Sequence, residues 1–237
     1  MITAYVVAPA FGVPNPSPFC MKVEILLQMA GLPYETRIEW DPRKAPKGKM
    51  PFIRDGDQLI GDSNFIQQHV ETKYGVDFDK GLDTQQRAIS HAFARMAEER
   101  LYWCLVYSRW VEDNKWPMVK AALFSNLPPL IRLIGPAVAR KGVRTSLHGH
   151  GLGRHSRAEI YALGEKDIAA IAAQLGTNAF MMDDSPTSLD ALLYPFVENL
   201  MIDELPSPLL TAIKRHDNLL AYRNRCRSLW YDRFQEG

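Results

Sequence analysis

Two residues with oxygen or sulfur side chains stand three positions apart near the start of a predicted helix. Ser17 and Cys20 belong to the tetrapeptide Ser-Pro-Phe-Cys, and an apolar run with helical spacing follows. The first turn of a helix has unpaired amides and a partial positive charge, so it stabilises a thiolate placed there, and a hydroxyl donor lowers the thiol pKa further. The same residues fit a structural alternative, in which Ser17 caps the helix and Cys20 is a small buried apolar residue.

Three aromatic residues recur at helical spacing in the second half of the chain. Trp103, Tyr107 and Trp110 stand at i, i+4 and i+7. Such a stripe can line an apolar pocket, or it can pack against other helices or a second subunit. Arg95 and Arg109 lie on the same predicted helix, and the sequence leaves their orientation open.

Three histidines lie close together in the chain. His148, His150 and His155 occur in a glycine-rich, basic stretch with no acidic or cysteine residue beside them. A metal site needs further ligands and supporting hydrogen-bond partners, so we predict no metal here. The alternatives are a solvated loop or a surface that binds an anion or a protein.

The composition describes a globular chain. Of its 237 residues, 46% are hydrophobic and 23% are charged, which excludes intrinsic disorder. There are 28 Lys and Arg against 27 Asp and Glu, so the overall charge gives no reason to expect nucleic acid or a membrane surface as the main partner.

The cysteines and the N-terminal residues indicate the compartment. The three cysteines are widely spaced and lack a CxxC pair, which favours a reducing cytoplasm over a disulfide framework. Residues 1–21 carry no charged side chain, but four prolines interrupt them and no basic segment precedes them. We therefore expect neither a signal peptide nor membrane insertion.

The first 75 residues alternate between strand and helix patterns. The β-branched apolar run at the N-terminus is of strand length, and Asp55-Gly56-Asp57 is a short hairpin signal. The order predicted is β-α-β-β-β-α, with strands near 2–8, 34–39, 51–54 and 58–60.

Strand patterns end near Asp83. One long helix is predicted over 84–114, and shorter helices follow. Residues 140–157 contain several glycines, five Lys or Arg and no acidic residue, so we expect them to interrupt the helical half. The pattern therefore predicts two domains, a mixed one over 1–76 and an all-helical one over 84–237.

This organisation resembles the glutathione transferase superfamily. Four local signatures in the expected order carry the resemblance: Ser17-Pro18-Phe19-Cys20, the loop Pro46–Ile53, the acidic-Ser pair Asp62-Ser63, and Pro186–Ala191, which contains a Thr-x-x-Asp capping box. The resemblance implies a thioredoxin-like N-terminal domain and an all-helical C-terminal domain of the glutathione transferase type.

A further segment narrows the resemblance. Gly-Leu-Gly-Arg-His-Ser at 151–156, followed by Glu159-Ile160, is similar to a stretch in the metaxin and failed-axon-connections branch. Some members of that branch act in protein import or neuronal development without an established conjugating activity. Bacterial relatives are often simply called glutathione transferases.

The resemblance implies roles for individual residues around glutathione, which would be a co-substrate. Ser17, or alternatively Cys20, contacts the sulfur. Pro51 follows a cis bond that presents the Met50 backbone to the cysteinyl backbone, and Asp62-Ser63 hold the γ-glutamyl end. Arg43, Lys44, Lys47 and Lys49 lie in a shortened basic connection, and Lys49 is our candidate for the glycine carboxylate.

The helical half is expected to supply the acceptor. On the resemblance, Trp103, Tyr107 and Trp110 form a pocket for a small apolar electrophile, and the chain forms a homodimer.

Three functions remain open on the sequence. The leading one is transfer of the glutathione thiolate to an electrophile. The second is a non-catalytic, metaxin-like protein-interaction module, favoured by the shortened basic connection. The third and weakest is Cys20-dependent thiol reduction, since Ser17 stands where a more exposed nucleophilic cysteine is expected.

Overall fold

The N-terminal unit is a four-stranded sheet with two helices. The structure, a computed structural model, describes residues 1–125, 127–232 and 234 of the 237-residue chain. The elements are β1 (Ile2–Val6), α1 (Pro18–Met29), β2 (Tyr34–Ile38), β3 (Phe52–Asp55), β4 (Gln58–Gly61) and α2 (Ser63–Tyr74). The strand order is β2-β1-β3-β4; β1 and β2 are parallel, and β3 is antiparallel to both of its neighbours. The predicted β-α-β-β-β-α order and thioredoxin-like fold are confirmed.

The rest of the described chain contains helices and no strand. The helices are α3 (Thr84–Met96), α4 (Tyr102–Trp110), α5 (Trp116–Phe124), α6 (Pro129–His150), α7 (Arg157–Leu175), α8 (Ser188–Leu200), α9 (Pro208–Lys214) and α10 (Asp217–Tyr231). A π-helical turn, Ala97–Leu101, joins α3 to α4. The long helix predicted over 84–114 is therefore present, but it ends at Trp110.

Helix α1 lies at the centre of the molecule because it is apolar almost all round. Every residue from Cys20 to Leu27 is buried, which is typical of a helix covered on all sides. One side packs on β1 and the other on α8, whose residues are also buried throughout except for Ser188. A single hydrophobic cluster therefore runs through both units. The division into domains at 1–76 and 84–237 stays a prediction.

The interruption expected over 140–157 is shorter than predicted, because α6 continues to His150. Arg140 donates to the carbonyls of Trp110 and Val111 at 2.8 and 2.9 Å, and Arg144 donates to the Val111 carbonyl at 3.2 Å. These arginines fasten α6 to the C-terminal end of α4, so tertiary contacts keep a glycine-containing segment helical.

The actual break covers the turn between α6 and α7. Gly151 has a φ of +103°, a conformation that favours glycine. A Cβ on Gly153 would lie 2.7 Å from the Leu147 carbonyl carbon, so only glycine fits there. Arg154 donates to the His148 carbonyl, and Ser156 caps α7 together with Glu159. The Gly-x-Gly-Arg-His segment therefore has a structural role in forming this turn.

The predicted Thr-x-x-Asp capping box is confirmed at the start of α8. The Asp190 carboxylate accepts from the Thr187 amide at 2.8 Å and also from the Met181 amide and the Tyr222 hydroxyl. Asp190 is fully buried, and its burial raises its pKa. Four hydrogen bonds on one buried carboxyl, including one from the Thr187 hydroxyl, connect α8 to α10 and to the preceding loop.

None of the helices in the described part of the chain has both the length and the hydrophobicity that a bilayer crossing requires.

Candidate functional site

The sheet register brings the predicted site segments to one edge. Phe52 pairs with Tyr5 of β1 and with Gly61 of β4. Pro51 therefore lies beside the carboxyl end of β1 and the residue that follows β4, which is Asp62. The chain leaving β1 leads through residues 7–17 to the start of α1. We call this edge, with the first turns of α1 and α2, the candidate site.

Ser17 is the N-cap residue of α1. Its backbone is extended, and its hydroxyl oxygen accepts from the Cys20 amide at 3.4 Å. The side chain is only partly buried, and its hydroxyl also forms a hydrogen bond with the Cys20 thiol, which lowers the pKa of that thiol against the larger effect of burial. Because a hydroxyl hydrogen can rotate, the Ser17 hydroxyl can turn its proton to an anion at the start of the helix, where the helix dipole also favours negative charge.

The loop before Ser17 is fastened to the helical unit. The buried Arg109 of α4 donates to the Pro16 carbonyl at 2.7 Å and to the Asn199 carbonyl at 2.7 Å. Asn199 in turn donates to the Asn15 carbonyl at 3.1 Å, and the Asn15 side chain donates to the Val7 carbonyl at 2.9 Å. Helices α4 and α8 thus determine where Ser17 lies. Burial lowers the pKa of Arg109 to about 10, so the side chain is a cation at neutral pH.

Cys20 is fully buried in the first turn of α1. Burial raises the pKa of its thiol to about 12, which leaves almost no thiolate at neutral pH. Cys104 and Cys226 are buried free thiols as well. This geometry fits the structural alternative for Cys20 and weighs against its use as a nucleophile.

The Met50–Pro51 peptide bond is cis, as predicted. Met50 precedes the first paired residue of β3, so its backbone lies outside the strand ladder. Of the basic candidates in the same connection, Arg43 pairs with Asp41 at 2.8 Å and Lys44 pairs with Glu39 at 2.9 Å.

The other two basic candidates are Lys47 and Lys49. The Lys47 ammonium lies 3.5 Å from the centre of the Phe65 ring, a cation–π contact. Lys49 is exposed and makes no ion pair or side-chain hydrogen bond with any described residue. Its ammonium is therefore free to meet an added carboxylate.

Asp62 and Ser63 form the start of α2. Asp62 caps the helix by accepting from the Asn64 amide at 2.9 Å, and it does so with a φ of +82°. Such a φ is uncommon outside glycine and is often found at functional sites. Ser63 is 5% exposed, and its hydroxyl has no hydrogen-bond partner in the part of the chain that the structure describes. The start of α2 thus offers an unused hydroxyl and helix-start amides to an anion.

A buried ion pair joins the two helix starts, and sequence reasoning missed it. The Lys22 ammonium on α1 donates to the Asn64 side chain at 2.6 Å and to Glu98 of the π-helical turn at 3.1 Å. Asn64 also donates to Glu98 at 2.9 Å, and Arg95 forms a second ion pair with Glu98. Lys22 is, with Glu24, one of two charged residues in a helix that is otherwise mainly apolar, which was the available signal. The pair keeps the Ser17 and Ser63 ends in fixed relation.

The aromatic stripe of α4 packs mainly within the helical unit. Trp103 stacks on His150 of α6 at 4.8 Å, and the Tyr107 ring lies 6.1 Å from that of Tyr161. Trp110 lies 5.6 Å from Trp116. All three stripe residues are only partly buried, so an acceptor pocket at Trp103, Tyr107 and Trp110 stays a prediction.

Tyr102, beside the stripe on α4, contacts the first turn of α1. Its ring contacts Phe19 of α1 edge-on, with 4.9 Å between the ring centres. Burial raises the Tyr102 pKa.

The described residues contain no group of three or more His, Cys, Asp or Glu side chains arranged to hold a metal ion. His155 lies near Glu159, 3.9 Å away.

A cavity of about 740 Å³ lies between α1, β2 and α10. It includes Glu24, Tyr34 and Trp230, but none of Ser17, Pro51, Asp62 or Ser63. Its lining also includes Val7 and Asn15 of the loop that leads to Ser17, so the cavity borders the candidate site without containing those four residues.

Comparison with known proteins identifies the family. The family model "Glutathione S-transferase N-terminal domain" matches residues 18–115, and "Glutathione S-transferase, C-terminal domain" matches residues 164–226. The isoprene-epoxide–glutathione S-transferase of Rhodococcus sp. (strain AD45) is 32% identical over 96% of this chain and 98% of its own length. The chain belongs to the glutathione S-transferase family.

Other relatives agree with the predicted branch. Failed axon connections of Drosophila melanogaster is 33% identical over 79% of the chain, which spans 47% of that protein's length. Metaxin-2 of Mus musculus is 25% identical over 92% of the chain and 83% of its own length. The chain is thus similar to both a named glutathione S-transferase enzyme and to metaxins.

Solved glutathione S-transferases share the fold. A glutathione S-transferase from Methylobacterium radiotolerans, in complex with glutathione sulfonate, has a TM-score of 0.65 at 19% identity and covers 99% of this chain and 96% of its own. The apo form of human glutathione-S-transferase T1-1 has a TM-score of 0.64 at 15% identity. The match covers 99% of this chain and 86% of the human chain. Both cover the sheet unit and the helical unit together.

Proposed function

We propose that this protein binds glutathione at the candidate site and transfers its thiolate to a small apolar electrophile. The observation that carries the proposal is that two serine residues at helix starts, Ser17 and Ser63, lie beside the same edge of the sheet. The Ser17 hydroxyl is partly exposed and has only the Cys20 amide and thiol as described partners, and the Ser63 hydroxyl has no partner among the described residues. Both stand at helix starts, where an anion is stabilised.

The thiolate end of glutathione belongs at Ser17. The hydroxyl donates to the sulfur, and the first turn of α1 adds its partial positive charge, so the thiol loses its proton more readily. The Arg109 guanidinium, bonded to the carbonyl of Pro16, adds a positive charge next to Ser17. These groups favour a nucleophile near neutral pH without any contribution from the buried Cys20.

The rest of the tripeptide has matching groups. The Met50 backbone, outside the strand ladder, can pair with the cysteinyl backbone as a strand does. The Asp62 carboxylate suits the γ-glutamyl ammonium, while Ser63 and the α2 amides suit its carboxylate. Lys49 suits the glycine carboxylate because it has no partner in the described chain.

The electrophile we propose is a small epoxide. This class is supported by the relative from Rhodococcus, whose name specifies an isoprene epoxide. The thiolate sulfur forms a bond to an epoxide carbon as the carbon–oxygen bond breaks, and the resulting alkoxide takes a proton from water. Tyr102 and the α4 stripe residues are the candidates for the acceptor side.

Ser17→Ala tests the mechanism in an epoxide-conjugation assay. A hydrogen bond to a charged group contributes about 1.5–3 kcal/mol, so we expect kcat to fall about 10- to 100-fold. The pKa of bound glutathione should rise as well, as read from thiolate absorbance against pH. Ser207→Ala, which removes a similar helix cap from α9, is the matched control. A folded Ser17→Ala protein with unchanged kcat contradicts the mechanism.

The second candidate is a non-catalytic interaction module. Its support is the similarity to Failed axon connections and to Metaxin-2 over most of this chain. Under this alternative the fold is a scaffold and the candidate site binds no glutathione, so the glutathione titration described below separates the two. The third function, Cys20-dependent thiol reduction, has the burial of Cys20 against it.

A further inference from the structure

The first three turns of α6 present an apolar face to solvent. Leu130 is 72% exposed, Ile131 51%, Ile134 55% and Val138 64%. Leu130, Ile134 and Val138 follow one another at intervals of four, so they form a ridge along the helix. The residues of α6 that are buried, Pro136 and Leu147, lie away from this ridge. We call these four exposed residues the α6 ridge.

The α6 ridge is convex. Its side chains are half to three-quarters exposed, whereas residues lining a groove would be partly covered by the groove walls. Leu133, 77% exposed, and Met118 of the neighbouring α5, 38% exposed, extend the apolar surface. Soluble proteins rarely expose a contiguous apolar surface of this kind without a binding partner.

The segment that contains the ridge is rich in positive charge. Residues 114–158 contain eight Lys and Arg and no Asp or Glu, although the whole chain has 28 basic and 27 acidic residues. The remainder of the chain is therefore acidic. Some of these cations are engaged: Arg140 and Arg144 pair with Asp113, and Lys115 and Arg157 pair with Glu112.

Two other cations of this segment are uncommitted. Lys120 and Lys141 are exposed and form no ion pair or side-chain hydrogen bond within the described residues, whereas Arg132 donates to the Ser125 carbonyl at 3.4 Å. Lys141 follows Val138 by three positions, so it lies on the same face of α6 at the C-terminal end of the ridge. The segment 114–158 thus joins exposed leucine and isoleucine side chains with two free cations, and it contains no carboxylate.

We propose that the α6 ridge docks this protein on an anionic lipid bilayer, with α6 lying in the plane of the interface. A bilayer surface provides an apolar layer beneath negative headgroups, which complements both properties of the ridge. A convex ridge can enter such a layer, whereas a partner helix is usually received in a groove. The docking is peripheral, and it is independent of glutathione chemistry.

Vesicle co-sedimentation of the full chain tests the proposal. Vesicles of phosphatidylcholine with about 30% phosphatidylserine are compared with pure phosphatidylcholine at low and high salt. We expect binding to the anionic vesicles only, weakened by salt. The double variant Leu130→Ser/Ile134→Ser should bind roughly tenfold or more weakly. Lys120→Gln and Lys141→Gln should each cost about fivefold.

The controls separate docking from misfolding. Both ridge positions are exposed, so the double variant should keep the wild-type circular dichroism spectrum and melting temperature. Ile38→Ser changes an equally exposed residue on β2 and should leave vesicle binding unchanged.

Three results overturn the proposal. The first is no co-sedimentation of the wild type with anionic vesicles at low salt. The second is equal binding by wild type and the ridge variant. The third is a concentration-dependent dimer of the wild type in sedimentation velocity that is absent in the Leu130→Ser/Ile134→Ser double variant. In that case a second copy of the chain covers the ridge.

Discussion

Arg109 of helix α4 donates a 2.7 Å hydrogen bond to the carbonyl of Pro16, the residue immediately before Ser17. The two residues are 93 positions apart, and the guanidinium also donates to the carbonyl and side chain of Asn199 on α8. A buried cation that bonds to neutral oxygens is costly unless its hydrogen bonds are well made. The contact makes the position of Ser17 depend on the helical unit.

Replacing Arg109 with Met tests that dependence. The substitution leaves the Pro16 and Asn199 carbonyls without their donor, so we expect the free energy of unfolding to fall by about 2 kcal/mol. Because Ser17 is then less firmly placed, kcat for conjugation should fall about tenfold or more, with a smaller change in KM. Urea unfolding and steady-state kinetics provide the two measurements.

Arg215→Met is the control for this experiment, since Arg215 is an exposed arginine of the same unit. If Arg109→Met loses stability but keeps wild-type kcat and KM, Arg109 is a structural residue only and does not position Ser17.

Thiol accessibility provides a second prediction. Burial raises the pKa of Cys20 and of Cys104 to about 12, and it raises the pKa of Cys226 as well. We expect a thiol-reactive disulfide reagent to leave the native protein unmodified and to modify all three cysteines after denaturation. Cys20→Ala should retain conjugating activity. Rapid modification of native Cys20, with thiol-transfer activity lost in Cys20→Ala, would favour the reductase function instead.

The carboxyl of Glu24 predicts a pH-dependent stability. Glu24 is 9% exposed on α1 and accepts from the Tyr231 hydroxyl at 2.8 Å. Burial raises its pKa from 4.5 to about 7. Because the pKa of Glu24 is higher in the folded than in the unfolded protein, its protonated carboxyl stabilises the fold. This contribution to the free energy of unfolding is complete below about pH 4.5 and is lost as the pH rises through about 7. The loss is on the order of 3 kcal/mol.

Glu24→Gln removes this titration. The difference in free energy of unfolding between wild type and variant should therefore change by about 3 kcal/mol between about pH 4.5 and about pH 7.5. Urea unfolding at the two pH values measures it. Glu204→Gln, at an exposed glutamate, is the control and should follow the wild type. A pH-independent difference for Glu24→Gln contradicts the raised pKa.

The sequence was most informative where the physical cause is local. The order of strands and helices along the N-terminal unit follows from β-branched runs and a hairpin signal, and the Thr187–Asp190 box needs residues only three positions apart. Ser17, the cis bond before Pro51 and the Asp62 cap depend on short motifs. The register then brings these segments to one edge, as the resemblance implied.

Contacts between distant positions were not predictable. Lys22 and Glu98 are 76 positions apart, and their ion pair exists only because α1, α2 and the π-helical turn pack together. The hydrogen bond from Arg109 to the Pro16 carbonyl likewise depends on the packing of elements that are far apart in the chain. Helix α6 was expected to break at 140 because its glycines and charges look like a loop. Its length depends on Arg140 and Arg144 reaching the end of α4, which no local pattern contains.

The most direct test of the central claim is a calorimetric titration of the full chain with reduced glutathione, alongside Ser63→Ala. The removed hydroxyl has no partner in the described chain, so the variant should fold normally. We expect saturable binding by the wild type, about tenfold or more weaker binding by Ser63→Ala, and no change for Ser146→Ala, an exposed serine of α6. Glutathione at ten times its Kd should also stabilise the wild type by about 1.4 kcal/mol. No binding heat and no thermal shift at millimolar glutathione would contradict the account.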